Sequence, residues 1–313
     1  MFSFLKAKRT VPGLTGIEMR DDGVSIVRVL RDPGRPPRVT ACEFRPWDAK
    51  GGERDKVLAR LADEFDLHRS RCTTVLDASE YSLLLTEAPD VPPGELRSAL
   101  RWRVKELIDF HVDDATIDVF DVSTPNTTAK TRSMYVVAAR NAAIQRRVDL
   151  CDRARINLDV IDIPELAQRN LAATLPEDVR GVVTMSFGAQ RGLVTITRQG
   201  EIFLSRRIEL GMATLLETDD RTAMFDQIVL EVQRSLDYFD SHFRQAHIDT
   251  LALAPPAGEV PGLLDYLSQN LNLKVKAIDL ASLMQFDVDA TPIVQADGLI
   301  ALGAALRQEE KAL

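Results

Sequence analysis

Hydrophobic and polar positions follow the same order twice along the chain. Residues 14–44, LTGIEMRDDGVSIVRVLRDPGRPPRVTACEF, and residues 182–210, VVTMSFGAQRGLVTITRQGEIFLSRRIEL, each read as three apolar strands joined by turns. The first turn carries Asp21, Asp22 and Gly23, and its counterpart runs from Gly188 to Gly192. Each meander leads into a helix and then a strand: residues 53–65 and 73–77 in the first half, 220–245 and 250–254 in the second. In the second long helix Met224, Ile228, Val232, Leu236, Phe239 and Phe243 recur at steps of three and four, which traces one buried face. A helix over 260–270, a strand over 274–278 and a last helix over 295–306 complete the pattern. An internal repeat of this kind implies two similar α/β halves with a cleft between them and the two first turns facing across it.

A further module interrupts the repeat. Residues 81–87, 116–122 and 134–140 read as strands, with a helix over 94–108 started by Pro92 and Pro93 and a polar hairpin loop over 123–132. A helix over 141–154, a strand over 158–163 and a helix from Pro164 to residue 174 follow, and residues 175–181 read as a hinge. The expected organisation is a first half over 1–80, an inserted subdomain over 81–155, a connection over 156–180 and a second half over 181–313. On the helix over 94–108 the buried stripe is Leu96, Ala99, Leu100, Val104, Leu107 and Ile108. Trp102 falls on the opposite face beside Lys105, with Arg101 adjacent, and either anchors a partner or packs on a neighbouring subdomain.

Composition narrows the function. A net charge of −8 without a basic block argues against nucleic acid, whose phosphates need a cationic face. Three cysteines in no CxxC pattern and four scattered histidines give no metal site and suit a reducing compartment. No apolar run spans a bilayer. The start, MFSFLKAKR, is apolar then basic, the reverse of a secretory leader, and reads as a docked terminus or a weak membrane-surface patch. No catalytic constellation is present.

A phosphate loop needs backbone N–H groups that an anion can approach, and the turns differ in how far they offer them. Glu18, Met19, Arg20, Asp21 and Asp22 put carboxylates where phosphate would lie, although the two aspartates either hold Mg²⁺ or merely shape a turn. The second turn keeps Gly188 and Gly192 together with Arg191, and these glycines are the candidate cofactor-binding residues. A third loop, Ala254 to Gly258, contains two prolines and so lacks two donors.

The stretches LTGIEMRDDGVSIVRV, PPGELRSALRWRVKELIDFHVDDATIDVFDV, MYVVAARNAAIQRRVDL, LDVIDIPELAQRNLA, EVQRSLDYFDSHF and ADGLIALGAALR, in this order, resemble the PilM-like type IV pilus assembly family, and most closely its MshI-type members. That resemblance implies an actin-like ATPase (RNase H-like) fold of two pseudo-duplicated halves, with an inserted α/β subdomain and a reduced second half. It implies a cytoplasmic protein, peripheral to the inner membrane, that binds the N-terminal tail of a PilN-like partner in a groove between first half and insert. Arg101, Trp102 and Lys105 are the candidate partner-binding residues. The family holds ATP with Mg²⁺ in its cleft. Here Met19 and Arg20 replace a glycine position, Ser186 an aspartate, and Ala254, Pro255 and Pro256 a glycine-rich loop, and only residues 211–221 stand where a lid is expected. The residues therefore favour a non-enzymatic assembly component, with a nucleotide-binding ATPase or switch as the alternative. A cytoplasmic part of a GspL-type secretion protein ranks third, because such chains continue into a membrane helix whereas this one ends in a polar stretch.

Overall fold

The computed structural model describes residues 10–47, 54–122, 133–217, 221–243 and 247–308. The N-terminal patch and the hairpin loop over 123–132 lie outside the described residues. The first half contains β1 (Leu14–Met19), β2 (Gly23–Leu30), β3 (Arg38–Pro46), α1 (Arg54–Glu64) and β4 (Arg71–Val75). The insert contributes β5 (Tyr81–Glu87), α2 (Leu96–Val104), β6 (Ala115–Val122) and β7 (Ser133–Arg140). The chain returns through α3 (Asn141–Arg153), β8 (Leu158–Asp162) and α4 (Pro164–Ala172). The second half holds β9 (Val182–Phe187), β10 (Gly192–Arg198), β11 (Glu201–Ile208), α5 (Met212–Glu217), α6 (Thr222–Phe243), β12 (Thr250–Leu253), α7 (Leu263–Asn270) and β13 (Lys274–Ala277). It closes with β14 (Gln285–Phe286), α8 (Pro292–Asp297) and α9 (Leu299–Ala305).

The repeat is visible in the sheets. One runs β14-β3-β2-β1-β4-β8, the other β11-β10-β9-β12-β13. In both, an antiparallel meander is followed by strands added in parallel, β4 and then β8 beside β1, β12 and then β13 beside β9. Such crossovers cover both faces, which is why β9 and β12 are buried at every position and read as unbroken apolar runs.

The two halves exchange a helix. The α4 helix leaves the first sheet but packs on β9, β10 and β11, where buried Gln168 donates to the Thr184 carbonyl at 2.9 Å and to Thr195 Oγ1 at 3.0 Å. The α9 helix ends the second half but packs on β1, β2 and β4. The two helices cross where Gly303 meets Ala167. A Cβ on Gly303 would stand 2.2 Å from the Ala167 carbonyl oxygen, and one on Gly16 would stand 1.9 Å from that of Ala301. Asn170 Nδ2 donates to the Gly303 carbonyl at 3.0 Å, and Arg307 meets buried Asp162 at 2.9 Å.

The insert is a separate sheet, β5-β7-β6. On one face Val119, Met134 and Val136 join Leu100 and Val104 of α2. On the other, Val122 and Tyr135 join the core of the second half, and the Tyr135 hydroxyl accepts from Ser205 N at 3.2 Å. The α3 helix buries Cys151 in the cluster of the first half.

Several elements differ from the sequence reading. The helix expected over 94–108 is regular only from Leu96 to Val104, and Leu107, placed on the buried stripe, is 59% exposed. The last helix divides at Gly298, which lies against Cys42 and leaves no room for a side chain. The two-residue strand β14 has no counterpart in the sequence pattern. Residues 175–181 contain a tight turn whose buried Asp178 accepts from Thr197 Oγ1 at 2.7 Å and Gly200 N at 2.6 Å, so the connection is pinned to the second meander.

Because the Gly303 contact is with backbone, Gly303→Ala should overpack the crossing and cost about 1–3 kcal/mol or more in denaturant unfolding. Gly94→Ala, with nothing within 4 Å, is the control and should stay within about 0.5 kcal/mol. Equal effects would mean that the crossing relaxes freely.

Candidate functional site

The first turn is filled by its own arginine. Arg20 N donates to the Gly23 carbonyl at 2.8 Å, which closes the β1–β2 turn. The guanidinium then spans Asp22 at 3.0 Å and Asp297 at 3.1 Å, donates to the Asp297 carbonyl at 3.1 Å and stacks over Phe44 at 4.6 Å. Trp47 Nε1 holds the Arg20 carbonyl at 2.6 Å. Asp22 is thus taken by a cation and Asp21 points to solvent, which favours the turn-shaping role of this pair over Mg²⁺ binding. Among the described residues, no group of three or more His, Cys, Asp or Glu is placed to hold a metal. An incoming phosphate would have to compete with Asp22 and Asp297 for Arg20.

The second turn has closed on itself. Gly188 N donates to the Arg191 carbonyl at 2.8 Å. The carbonyls of Gly188 and Ala189 accept the first free N–H groups of α5, from Met212 and Ala213, at 2.9 Å each. Gly211 makes this docking possible, since a Cβ there would sit 2.4 Å from the backbone of Gln190. Gly192 is buried against the Phe187 ring and the Leu210 carbonyl, so close packing explains it without a ligand. Arg191 is bound by Glu209 through Nε at 2.9 and 3.0 Å. The α5 helix also reaches the third loop, where Gly258 faces Leu216 and Met212. Of the two candidate glycines, Gly188 is exposed at the turn and Gly192 is interior; the structure joins them only through the β9–β10 hairpin.

A polar knot missed in the sequence lies beside these turns. Glu165, buried at the start of α4, accepts from Arg207 of β11 at 2.8 and 3.1 Å and from the Tyr81 hydroxyl. Arg207 also donates to the Ala78 carbonyl at 2.7 Å and lies over the Tyr81 ring at 4.7 Å. Burial, then the neighbouring Glu165, push the Tyr81 hydroxyl well above its ordinary pKa, so it stays a donor. The available signal was a glutamate directly after Pro164, at a helix start following an apolar strand.

On α2, Trp102 is 76% exposed, which removes the packing alternative within this chain. Lys105 Nζ stands 5.7 Å from its ring, so these two candidates come together. Arg101 turns away, donating to the Ala115 carbonyl and to Asp113 at 3.4 Å each. Arg97 and Arg103 are held by Asp118 and by the Glu87 carbonyl at 2.9 and 2.7 Å. Exposed Leu107 follows shortly after this pair in the chain.

Residues 90–223 match the family model of the type IV pilus assembly protein PilM. That span begins just before α2 and ends within α6, so it includes Trp102, the second turn and α5. Among solved structures the chain is similar to a PilM–PilN type IV pilus biogenesis complex, at 20% identity and a TM-score of 0.73, covering 95% of this chain and 98% of that one. It is also similar to the cytoplasmic domain of EpsL, an inner-membrane component of the type II secretion system of Vibrio cholerae, at 11% identity and a TM-score of 0.52, covering 95% and 96%. A Bacteroides thetaiotaomicron protein with an actin-like ATPase fold matches at 11% identity and a TM-score of 0.50, over 94% and 98%. These likenesses establish an actin-like fold for the whole chain. Comparison with curated proteins finds no match. Among the described residues, no helix is long and apolar enough to cross a membrane.

The first turn also makes a pH-dependent contribution. Burial pushes the Glu18 carboxyl from its ordinary 4.5 up to about 7; Arg20 pulls it down, while Asp22, Asp297 and Asp77 push it further up. The folded chain thus holds this proton more tightly than the unfolded one. The stability it supplies is complete below about pH 4.5 and is lost as pH rises through about 7. Glu18→Gln should flatten that decline, so unfolding free energies of wild type and variant should diverge across this window. Parallel profiles would mean that Glu18 titrates like a solvated carboxylate.

Proposed function

We propose that this chain is a non-enzymatic assembly component of a type IV pilus machine, of the MSHA kind, acting on the cytoplasmic face of the inner membrane. It grips the N-terminal cytoplasmic tail of a PilN-like inner-membrane partner through the insert. The observation that carries this reading is the PilM family match over residues 90–223, a span that contains the exposed Trp102 and Lys105 pair. Likeness in fold to a PilM–PilN complex supports the choice of partner. An exposed tryptophan beside a cation suits a short peptide segment, because a large rigid ring supplies contact area at low entropic cost.

The loops support the non-enzymatic part. Arg20 sits among the carboxylates of the first turn, the Gly188 N–H is spent within its own turn, and α5 leans on both the second and third loops. A nucleotide would have to displace these contacts, and each hydrogen bond to a charged group contributes about 1.5–3 kcal/mol.

Two measurements test this reading. Trp102→Ala should weaken binding of a synthetic PilN-like tail peptide by roughly tenfold, about 1.4 kcal/mol, while leaving the thermal midpoint nearly unchanged. Unchanged affinity, or a loss of several kcal/mol in stability, would sink the anchor role. Calorimetric titration of the purified chain with ATP and Mg²⁺ should show no micromolar binding; a micromolar isotherm would restore the nucleotide-switch alternative.

A further inference from the structure

A second surface lies at the opposite edge of the first sheet from β8. The edge strand β14 pairs with β3 at only two positions, Gln285 with Arg38 and Phe286 with Val39. The last bond between them runs from Asp287 N to the Val39 carbonyl at 2.9 Å. Beyond it residues 287–291 bend away to start α8, while β3 continues to Pro46 paired on its β2 side alone. The two strands part like a fork. From Thr40 to Pro46 one edge of β3 has no strand beside it among the described residues, over about 20 Å at roughly 3.3 Å per residue.

The fork encloses a groove of about 850 Å³ that is closed below by α8. Phe44, Phe286, Val288 and Val294 give it apolar walls. Glu43, Asp287, Asp289 and Asp297 also line it, and no lysine or arginine does. Three of the carboxylates have cations outside the groove lining: Arg45 for Glu43, Arg38 for Asp287 at 3.5 Å, and Arg20 for Asp297 at 3.1 Å. Asp289 has no ion-pair partner among the described residues. The groove therefore combines an unpaired strand edge, apolar walls and an uncompensated negative charge.

We infer that this groove takes an extended segment of a partner protein in which basic and apolar residues alternate, added to the β3 edge as a strand. Backbone pairing with β3 would supply affinity, the apolar walls would bury alternate side chains, and the carboxylates would select cations. This site is separate from the α2 surface: it lies on the β3 side of the sheet, whereas the insert leaves from β4, and it stands or falls independently of the partner-tail reading.

The probe is a labelled Lys-Val-Lys-Val-Lys-Val peptide, read by fluorescence anisotropy with the full chain. Measurable binding is expected. It should weaken at least tenfold in the double variant Asp287→Asn, Asp289→Asn, whose exposed positions should leave the thermal midpoint unchanged. A probe N-methylated at alternate amides, and one with glutamate for lysine, should both fail, while Trp102→Ala should bind like wild type. No binding, insensitivity to the double variant, or equal binding of the N-methylated probe would overturn strand addition here, as would weakening by Trp102→Ala. A chain lacking residues 1–9 that bound the probe at least tenfold more tightly would assign the groove to the chain's own apolar-basic start and overturn the choice of a partner.

Discussion

The crossing of α4 and α9 at Ala167 and Gly303 is the contact on which both halves depend. Backbone meets backbone there, because Gly303 carries no side chain to hold the helices apart. Each sheet is covered on one face by a helix that belongs, in chain order, to the other half. Without α9 the first sheet would expose Val27 and Val29, and without α4 the second would leave the buried threonines of β9 and β10 without Gln168. Neither half can bury its core alone, so the repeat folds as one unit although its sheets are separate. Arg307 adds direction to the crossing: it meets the buried Asp162 carboxylate at the end of β8, which would otherwise be an unpaired charge, an arrangement costing several kcal/mol.

With the crossing in place, the loops above it have settled on partners from their own chain. Arg20 reaches the junction of α8 and α9 through Asp297, so the first turn is tied to the start of one of the two crossing helices. Gly188 and Ala189 are tied to α5, and α5 to the third loop. An actin-like cleft that binds nucleotide needs donors left open until the ligand arrives. Here Arg20 N and Gly188 N each donate within their own turn, and burial rather than a ligand pushes the Glu18 carboxyl up to about 7.

Much of this was legible in the sequence. The meanders announce themselves because alternating apolar residues and glycine-containing turns are local signals, and the one-sided stripe of α6 is another. What the sequence concealed depends on distant partners. Arg20 and Asp297 lie 277 residues apart, and Asn170 and Gly303 lie 133 apart. A glycine within an apolar helix hints at a close approach without saying to what. Gly192 is ambiguous for the same reason, since a phosphate and a phenylalanine ring both exclude a Cβ. Leu107 misled because periodicity continues past the point where helical hydrogen bonding stops at Val104. The β14 strand, two residues long, is below the length at which alternation carries any signal.

The insert completes the mechanical picture. Its chain enters and leaves through the first half, yet one face of its sheet is fused to the core of the second, with Tyr135 bound to the β11 backbone. The opposite face carries α2, so a force applied at Trp102 passes through Leu100 and Val104 into the sheet and from there to β11. On β11, Arg207 joins Glu165 of α4 to the loop that leads into β5. A load on the surface helix is therefore shared by both halves and by the crossing beneath them. That arrangement suits a protein that holds a partner in place better than one that opens and closes around a small molecule.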